Sequence, residues 1–366
     1  MSVKNEHILI IGPFPDPLFG VSLSNLVLAK GLKSRGVKVS KIDTSSGLNV
    51  QSAQGAWSVK KLSFFKYYLW LYRVFFADVI YCTIGQTFFG ILKYAPFVFF
   101  AKILGKTSVV HVKGGYLKKS YEQMGILKKI IIKPILKSFS KGIVLSKSLK
   151  PLLLPFLDES RIFIQYNFVQ ESLIIPPNRV FEKKNFSKLR LFFMSNLISE
   201  KGIFEFLNAL EALTLSKTPF EAKIAGNVPD DEFGLLDRIS ILKNTEYLGV
   251  VDGKSKTELL SWGNVFCLPT YYSMEGQPIS IIEAMGFGNF IVTTRHAGIP
   301  DICSPNNTVF VGERDSSSLT KQLIKLSKAM IHLESVSLKN LDFARKKFSE
   351  ESFVSGIFKI LNQKNK

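Results

Sequence analysis

A chain of 366 residues, 46% hydrophobic and of positive mean hydropathy, is long enough for two ordinary domains with separate cores and is far from a disordered composition. Its 48 Lys and Arg against 29 Asp and Glu give a formal charge of +19, which asks for an anionic partner; with no nucleic-acid-binding module in the chain, nucleic acid is set aside as that partner. Cys82, Cys267 and Cys303 are far apart, show no Cys-x-x-Cys spacing and lie in or beside apolar runs, which excludes a disulfide framework or zinc site and fits free thiols in a reducing compartment.

The polar residues 1–6 run straight into an apolar strand at 7–12, so no signal peptide is expected. A loop rich in Gly and Pro, from Gly12 to Gly20, leads into a helical pattern over 21–36 with Leu23, Leu26, Val27, Ala29 and Leu32 on its apolar side. Further strands are predicted at 37–42, 79–83, 108–112 and 142–145, then at 189–194, 221–225, 265–268 and 289–293. Helical patterns lie between most of them, which is the signature of parallel βαβ units in an α/β chain with two Rossmann-like sheets. Residues 174–188, with Pro176-Pro177-Asn178 and several lysines, form the predicted linker, and 350–361 reads as an amphipathic helix. The expected domains are therefore 1–175 and 176–348, followed by a terminal helical segment at 349–366.

Charge is uneven along the chain. Residues 1–180 carry 25 Lys and Arg against 8 Asp and Glu, whereas residues 181–366 carry 23 against 21. In the first half the basic residues are interleaved with aromatic and aliphatic ones, from Lys60 to Arg73, from Phe97 to Lys102 and from Ile126 to Lys133. Basic amphipathic faces of this kind bind anionic membrane surfaces, each well-placed cation adding roughly 1 kcal/mol; a solvated lysine-rich surface over an aromatic core is the alternative. The window 74–92 holds Asp78 as its one charge and is long enough to span a bilayer, but Thr83, Gly85, Gln86 and Thr87 interrupt it, so peripheral attachment is expected.

The densest chemistry lies at Tyr271-Tyr272-Ser273-Met274-Glu275-Gly276-Gln277-Pro278-Ile279-Ser280-Ile281-Ile282-Glu283-Ala284-Met285-Gly286. Pro278 suits the first turn of a helix, and the amides of Gly276, Gln277, Ile279 and Ser280 beside it form an anion site at a helix start carrying about half a positive charge. Glu275 stands in the loop and Glu283 further into the helix, so two hydroxyl-binding carboxylates flank a phosphate cradle. Upstream, the apolar run 191–198 leads through Ser199-Glu200-Lys201-Gly202 into a helix, the strand, loop and helix order at which a doubly wound sheet places ligands.

The Glu275-x7-Glu283 pair, set in E-G-x-P-x-x-x-x-E-A-M-x-x-G, resembles the donor-site signature of glycosyltransferase family 4, the group 1 glycosyltransferases. The resemblance implies a GT-B fold: two Rossmann-like domains facing across a cleft, the first binding the acceptor, the second a nucleotide-sugar, with the terminal helix returning to the first. It gives Glu275 to the transferred sugar, Glu283 to the ribose, and the backbone of Gly276, Gln277, Pro278 and Ile279 to the diphosphate. Lys201 matches a lysine that reaches the same diphosphate. Asn196 stands where the family usually has Arg, a departure that removes a charge and a bidentate fork; Lys254 and Arg295 are candidate substitutes. Lys113 occupies a position before Gly114 where many relatives carry His, while His111 lies two residues earlier; either approaches the donor, or His111 belongs to the core. Gly20 corresponds weakly to a glycine of the family's first loop.

The expected activity is retaining transfer of a sugar from a UDP- or GDP-sugar to a glycan or lipid-linked acceptor, in assembly of a bacterial-type capsule, O-antigen or exopolysaccharide. No Asp-x-Asp triad occurs, so no metal and no separate cofactor are expected. The expected place is cytoplasmic, peripheral at the inner membrane face. The alternatives are a GT-B-fold sugar-nucleotide epimerase and a catalytically impaired sugar-binding homologue.

Overall fold

The computed structural model describes residues 6–16, 19–45, 59–229, 232, 234–303 and 307–363. Pro17 and Leu18 of the first loop, and the side chains of 59–64 in the basic aromatic stretch, lie outside the described residues. The chain divides into two compact units, Met1–Asn167 together with Glu351–Lys366, and Phe168–Glu350.

The first unit holds a six-stranded sheet of β1 (His7–Gly12), β2 (Lys38–Asp43), β3 (Val79–Cys82), β4 (Thr107–Val112), β5 (Lys141–Val144) and β6 (Ile162–Ile164), in the order β2-β1-β3-β4-β5-β6. Every pairing is parallel. Strands covered on both faces are largely apolar, and β1, β3 and β5 are buried at every position, while the edge strand β2 is buried only at Ile42. The helix Glu350–Asn362 packs in this unit against the helix Gly20–Ser34: a Cβ on Gly31 would meet Val354 Cγ2 at 2.6 Å, so glycine permits the close approach. Arg35 pairs with Glu351 at 2.6 Å, and Lys141 donates to the carbonyls of Ile360, Leu361 and Gln363 at the helix end. A cation there satisfies acceptors that the helix leaves open.

The second unit repeats the plan with β7 (Leu189–Met194), β8 (Phe220–Ala225), β9 (Thr245–Tyr247), β10 (Val265–Leu268), β11 (Phe290–Thr294) and β12 (Thr308–Val311), in the order β12-β11-β10-β7-β8-β9. All of its pairings are parallel. The chain runs outward from β7 through β8 to β9, then returns to lay β10 against the other side of β7. That reversal is a topological switch point, and the loops leaving β7 and β10 diverge there. Residues 168–175, expected at the end of the first domain, belong to this unit; the Val169 amide donates to Phe348 O at 2.7 Å and Leu173 is buried. The linker segment itself contains a short helix, Pro177–Phe181.

Strands β6, β9 and β12 were not among the expected strands. They are three or four residues long, too short to show a period of their own, and β9 and β12 are also partly exposed.

Candidate functional site

The residues singled out after β7 and β10 converge above the switch point. Ser199–Lys201 forms a single helical turn ended by Gly202, whose φ of +84° is left-handed. A Cβ there would also lie 2.4 Å from Pro269 O, so only glycine allows this turn to sit against the chain leaving β10. The turn is tied down further by the Tyr271 amide, which donates to Glu200 O at 2.8 Å. Held in this way, Lys201 Nζ lies 2.5 Å from Glu275 Oε2 and 4.6 Å from the centre of the Tyr272 ring. Both ends of the ion pair are largely buried, with side-chain exposures of 15% and 8%.

The Glu275 amide closes a turn onto Tyr272 O at 2.8 Å, and the Gly298 amide, from the loop after β11, donates to Gly276 O at 2.9 Å. Gly276, Gln277 and Pro278 are buried; partial exposure begins at Ile279 and Ser280. The helix is Ile279–Gly286, with Pro278 at the N-cap in extended conformation instead of inside the first turn. Proline fits there because its fixed φ starts the helix and it brings no amide. The helix therefore starts at Ile279, one position later than the sequence placed it, and of the four amides expected to hold an anion only those of Ile279 and Ser280 lie at partly exposed residues. Gly276 and Gln277 are buried framing of the turn.

Glu283 is buried on this helix, and Lys256 Nζ approaches its Oε1 to 2.6 Å. Burial raises the Glu283 pKa, opposed by the charge and hydrogen bond of Lys256. Lys256 comes from the helix Gly253–Trp262, which forms the crossover from β9 to β10. The sequence offered Lys254 and Arg295 as extra cations, but Lys254 faces solvent near Glu258 at 3.9 Å, and exposed Arg295 stacks 4.2 Å from the Phe310 ring. No motif marks Lys256, because its partner is 27 positions away along the chain. His296 was also unforeseen. Its ring joins Tyr272 O at 2.9 Å to Glu313 Oε1 at 2.7 Å and so braces the loop that carries Glu275. Asn196 is exposed in the loop after β7.

In the first unit, His111 is fully buried on β4, with Nδ1 2.5 Å from the Tyr81 hydroxyl. Burial and then the nearby Lys113 depress its pKa well below the ordinary value. This is the environment of a neutral core histidine. Lys113, just beyond β4, places Nζ 4.7 Å from the Phe353 ring centre, and that nitrogen is buried without a hydrogen-bond partner among the described residues. Burial lowers its pKa to about 7. Gly20 is exposed as the first residue of its helix.

A cation, a carboxylate and an open helix start on one side of a sheet's switch point can hold an anion beside a polyol. Residues 188–329 match the family model described as Glycosyl transferases group 1. Over 147 residues, 38% of the chain, the sequence is 26% identical to the putative colanic acid biosynthesis glycosyltransferase WcaL of Salmonella typhimurium and 29% identical to the amylovoran biosynthesis glycosyltransferase AmsK of Erwinia amylovora. The match spans about a third of the length of these relatives, 36%. Among solved structures, HepE of Anabaena in complex with UDP superposes with a TM-score of 0.72 at 14% identity, covering 97% of this chain and 99% of that one. Sucrose-phosphate synthase of Thermosynechococcus elongatus gives 0.73 at 13% identity, covering 97% and 98%. The fold is GT-B.

Proposed function

We propose that this chain, which carries a group 1 glycosyl transferase domain over residues 188–329 on a GT-B fold, moves a sugar from a nucleotide-sugar to an acceptor hydroxyl with retention at the anomeric carbon. The observation that carries the reading is the meeting of Lys201 and Glu275, at 2.5 Å, beside the start of the Ile279–Gly286 helix. Lys201 and the amides from Ile279 onward hold the diphosphate of a UDP- or GDP-sugar, Glu275 takes hydroxyls of the transferred sugar, and Glu283 takes the ribose. Breaking the bond between C1 and the diphosphate leaves an electron pair on the diphosphate oxygen; the acceptor oxygen bonds C1 and passes its proton to the departing diphosphate. Fixed positive potential aimed at that leaving group lowers the barrier most in a site closed to water. With Lys201 and the helix start supplying it, and no Asp-x-Asp triad in the chain, the transfer is metal-independent.

The relatives WcaL and AmsK are named for assembly of colanic acid and amylovoran, which supports a place in bacterial surface polysaccharide biosynthesis, capsule and lipopolysaccharide O-antigen included. HepE, solved with UDP and with UDP-glucose, supports a uridine nucleotide-sugar as the first donor to try. The acceptor is a glycan or a lipid-linked glycan at the cytoplasmic membrane face, bound by the first unit, where Lys113 lies beside the Gly114-Gly115 loop. No described helix is long and apolar enough to cross a membrane, in keeping with peripheral attachment.

Thermal melting with a panel of nucleotide-sugars, with and without a chelator, tests the reading. One donor is expected to raise the Tm of the native chain, with no effect of the chelator and no shift in Glu283→Ala. NMR of the product formed with that donor then reads the anomeric configuration. No shift with any donor, or an inverted product, overturns it.

A further inference from the structure

The helices of the first unit are sorted unequally by polarity. Right-handed crossovers place the connections from β2 to β3, β3 to β4 and β4 to β5 on one face of the first sheet, opposite the helices Gly20–Ser34 and Glu350–Asn362. The helices Arg73–Phe76, Ala95–Ile103 and Ile126–Lys137 accordingly pack against one another in sequence, and Phe88–Leu92 packs against the last of them. Within this unit, every exposed large hydrophobic side chain among the described residues except Leu154 falls between residues 65 and 131, on that layer. Residues 59–137 hold 14 Lys and Arg against two acidic residues, Asp78 and Glu122.

The helix Ile126–Lys137 is apolar on two sides. Ile132, Ile135 and Leu136 are buried toward the sheet. Ile126, Leu127, Ile130 and Ile131 point away from it, exposed by 78%, 78%, 63% and 44%. They are spaced four apart in pairs, so they form one outward stripe continued by Pro134. Lys133 and Lys137 border the stripe in the open, and Lys128 borders it on the other flank, 5.5 Å from the Phe88 ring centre. The helix has no acidic residue. A rim of lysines alone complements an anionic lipid headgroup layer, and the helix is far too short to span it.

We propose that the outward face of Ile126–Lys137, with Phe89 beside it, docks flat on an anionic phospholipid bilayer, its isoleucines and leucine in the acyl boundary and its lysines among the phosphates. The proposal deepens the proposed function by naming the surface that brings the chain to a lipid-linked acceptor, and rests on that reading only for the acceptor. Flotation of the full chain, without nucleotide, with vesicles of phosphatidylcholine alone or with one third phosphatidylglycerol tests it. Binding is expected to the phosphatidylglycerol vesicles only and to weaken as salt rises. Lys133→Glu and Lys137→Glu are expected to weaken it about fivefold or more for each lysine, and Ile126→Asp with Ile130→Asp by about tenfold for each isoleucine.

All four positions are exposed, so unchanged melting temperatures and an unchanged donor-induced shift show that the variants are folded. An Ile130→Trp variant gives a second readout, a blue-shifted emission with phosphatidylglycerol vesicles. Flotation equal for native and variant chains, or no flotation at all, overturns the docking surface and leaves the donor reading intact. A dimer that Ile130→Asp disrupts, without vesicle binding, makes the face a contact between copies instead and also overturns it.

Discussion

Lys256 Nζ lies 2.6 Å from Oε1 of Glu283, a carboxylate exposed by only 2%. The carboxylate assigned to the ribose is thus held by a cation from a different helix, brought to it by the crossover from β9 to β10. A buried charge without such a partner is costly, and removal of one member of a buried pair typically destabilises by about 3–5 kcal/mol.

Burial raises the folded-state pKa of Glu283 above its ordinary range, against the pull of Lys256. An acid shifted in this direction stabilises the fold while protonated. That stability is fully present below the unfolded pKa and is lost as pH rises through the folded one. Glu283→Gln removes the loss, so its Tm relative to the native chain should climb from acid toward neutral pH. Lys256→Met removes the opposing charge and should steepen the native loss. Calorimetry across that range checks both, and parallel curves for all three proteins would contradict the assignment of the shift.

Lys201→Met should leave a folded protein whose kcat/KM falls about 10²- to 10³-fold, the size of effect seen when one preorganised charge or donor is taken from a developing anion. The loss should appear mainly in kcat. A fall confined to KM would mean that Lys201 binds the ground state and the transition state alike.

Burial shifts Lys113 in the opposite direction. Burial lowers its folded pKa to about 7, whereas an unfolded lysine titrates near ~10.4. The charged form is the one disfavoured, so stability is greatest above the unfolded pKa and is lost as pH falls toward the folded one. Lys113→Met should therefore be stabilised relative to the native chain below about pH 7, with the advantage shrinking toward pH 10. Chemical denaturation at several pH values reads this. An advantage independent of pH would place the Lys113 amine in water.

Much of the site was legible because its parts are local. Glu275, Gly276, Pro278 and Glu283 fall on one loop and helix, and Lys201 follows one apolar strand, so spacing alone puts them at strand ends. The one-residue displacement of the helix start at Pro278 is the ordinary uncertainty of a boundary set by a cap. Lys256 and His296 were not legible, because each acts on a partner from another loop. At β4, alternation put His111 and Lys113 on one side but could not say how deep either would lie; Tyr81 and Phe353 decide that from distant parts of the chain.

Hydrophobic periodicity determined the class of this protein by itself: long apolar strands bounded by glycine and proline, with helices between, have parallel sheets as their means of satisfying backbone and burying side chains together. The tertiary structure alone decided which charges meet and which apolar faces stay in water. Ile130 and Ile132 are equal in sequence terms, yet one points outward and the other inward, because only the packed sheet tells a helix which of its sides is covered. Pairings such as Lys256 with Glu283 depend likewise on strand order, and strand order is a property of the assembled sheet.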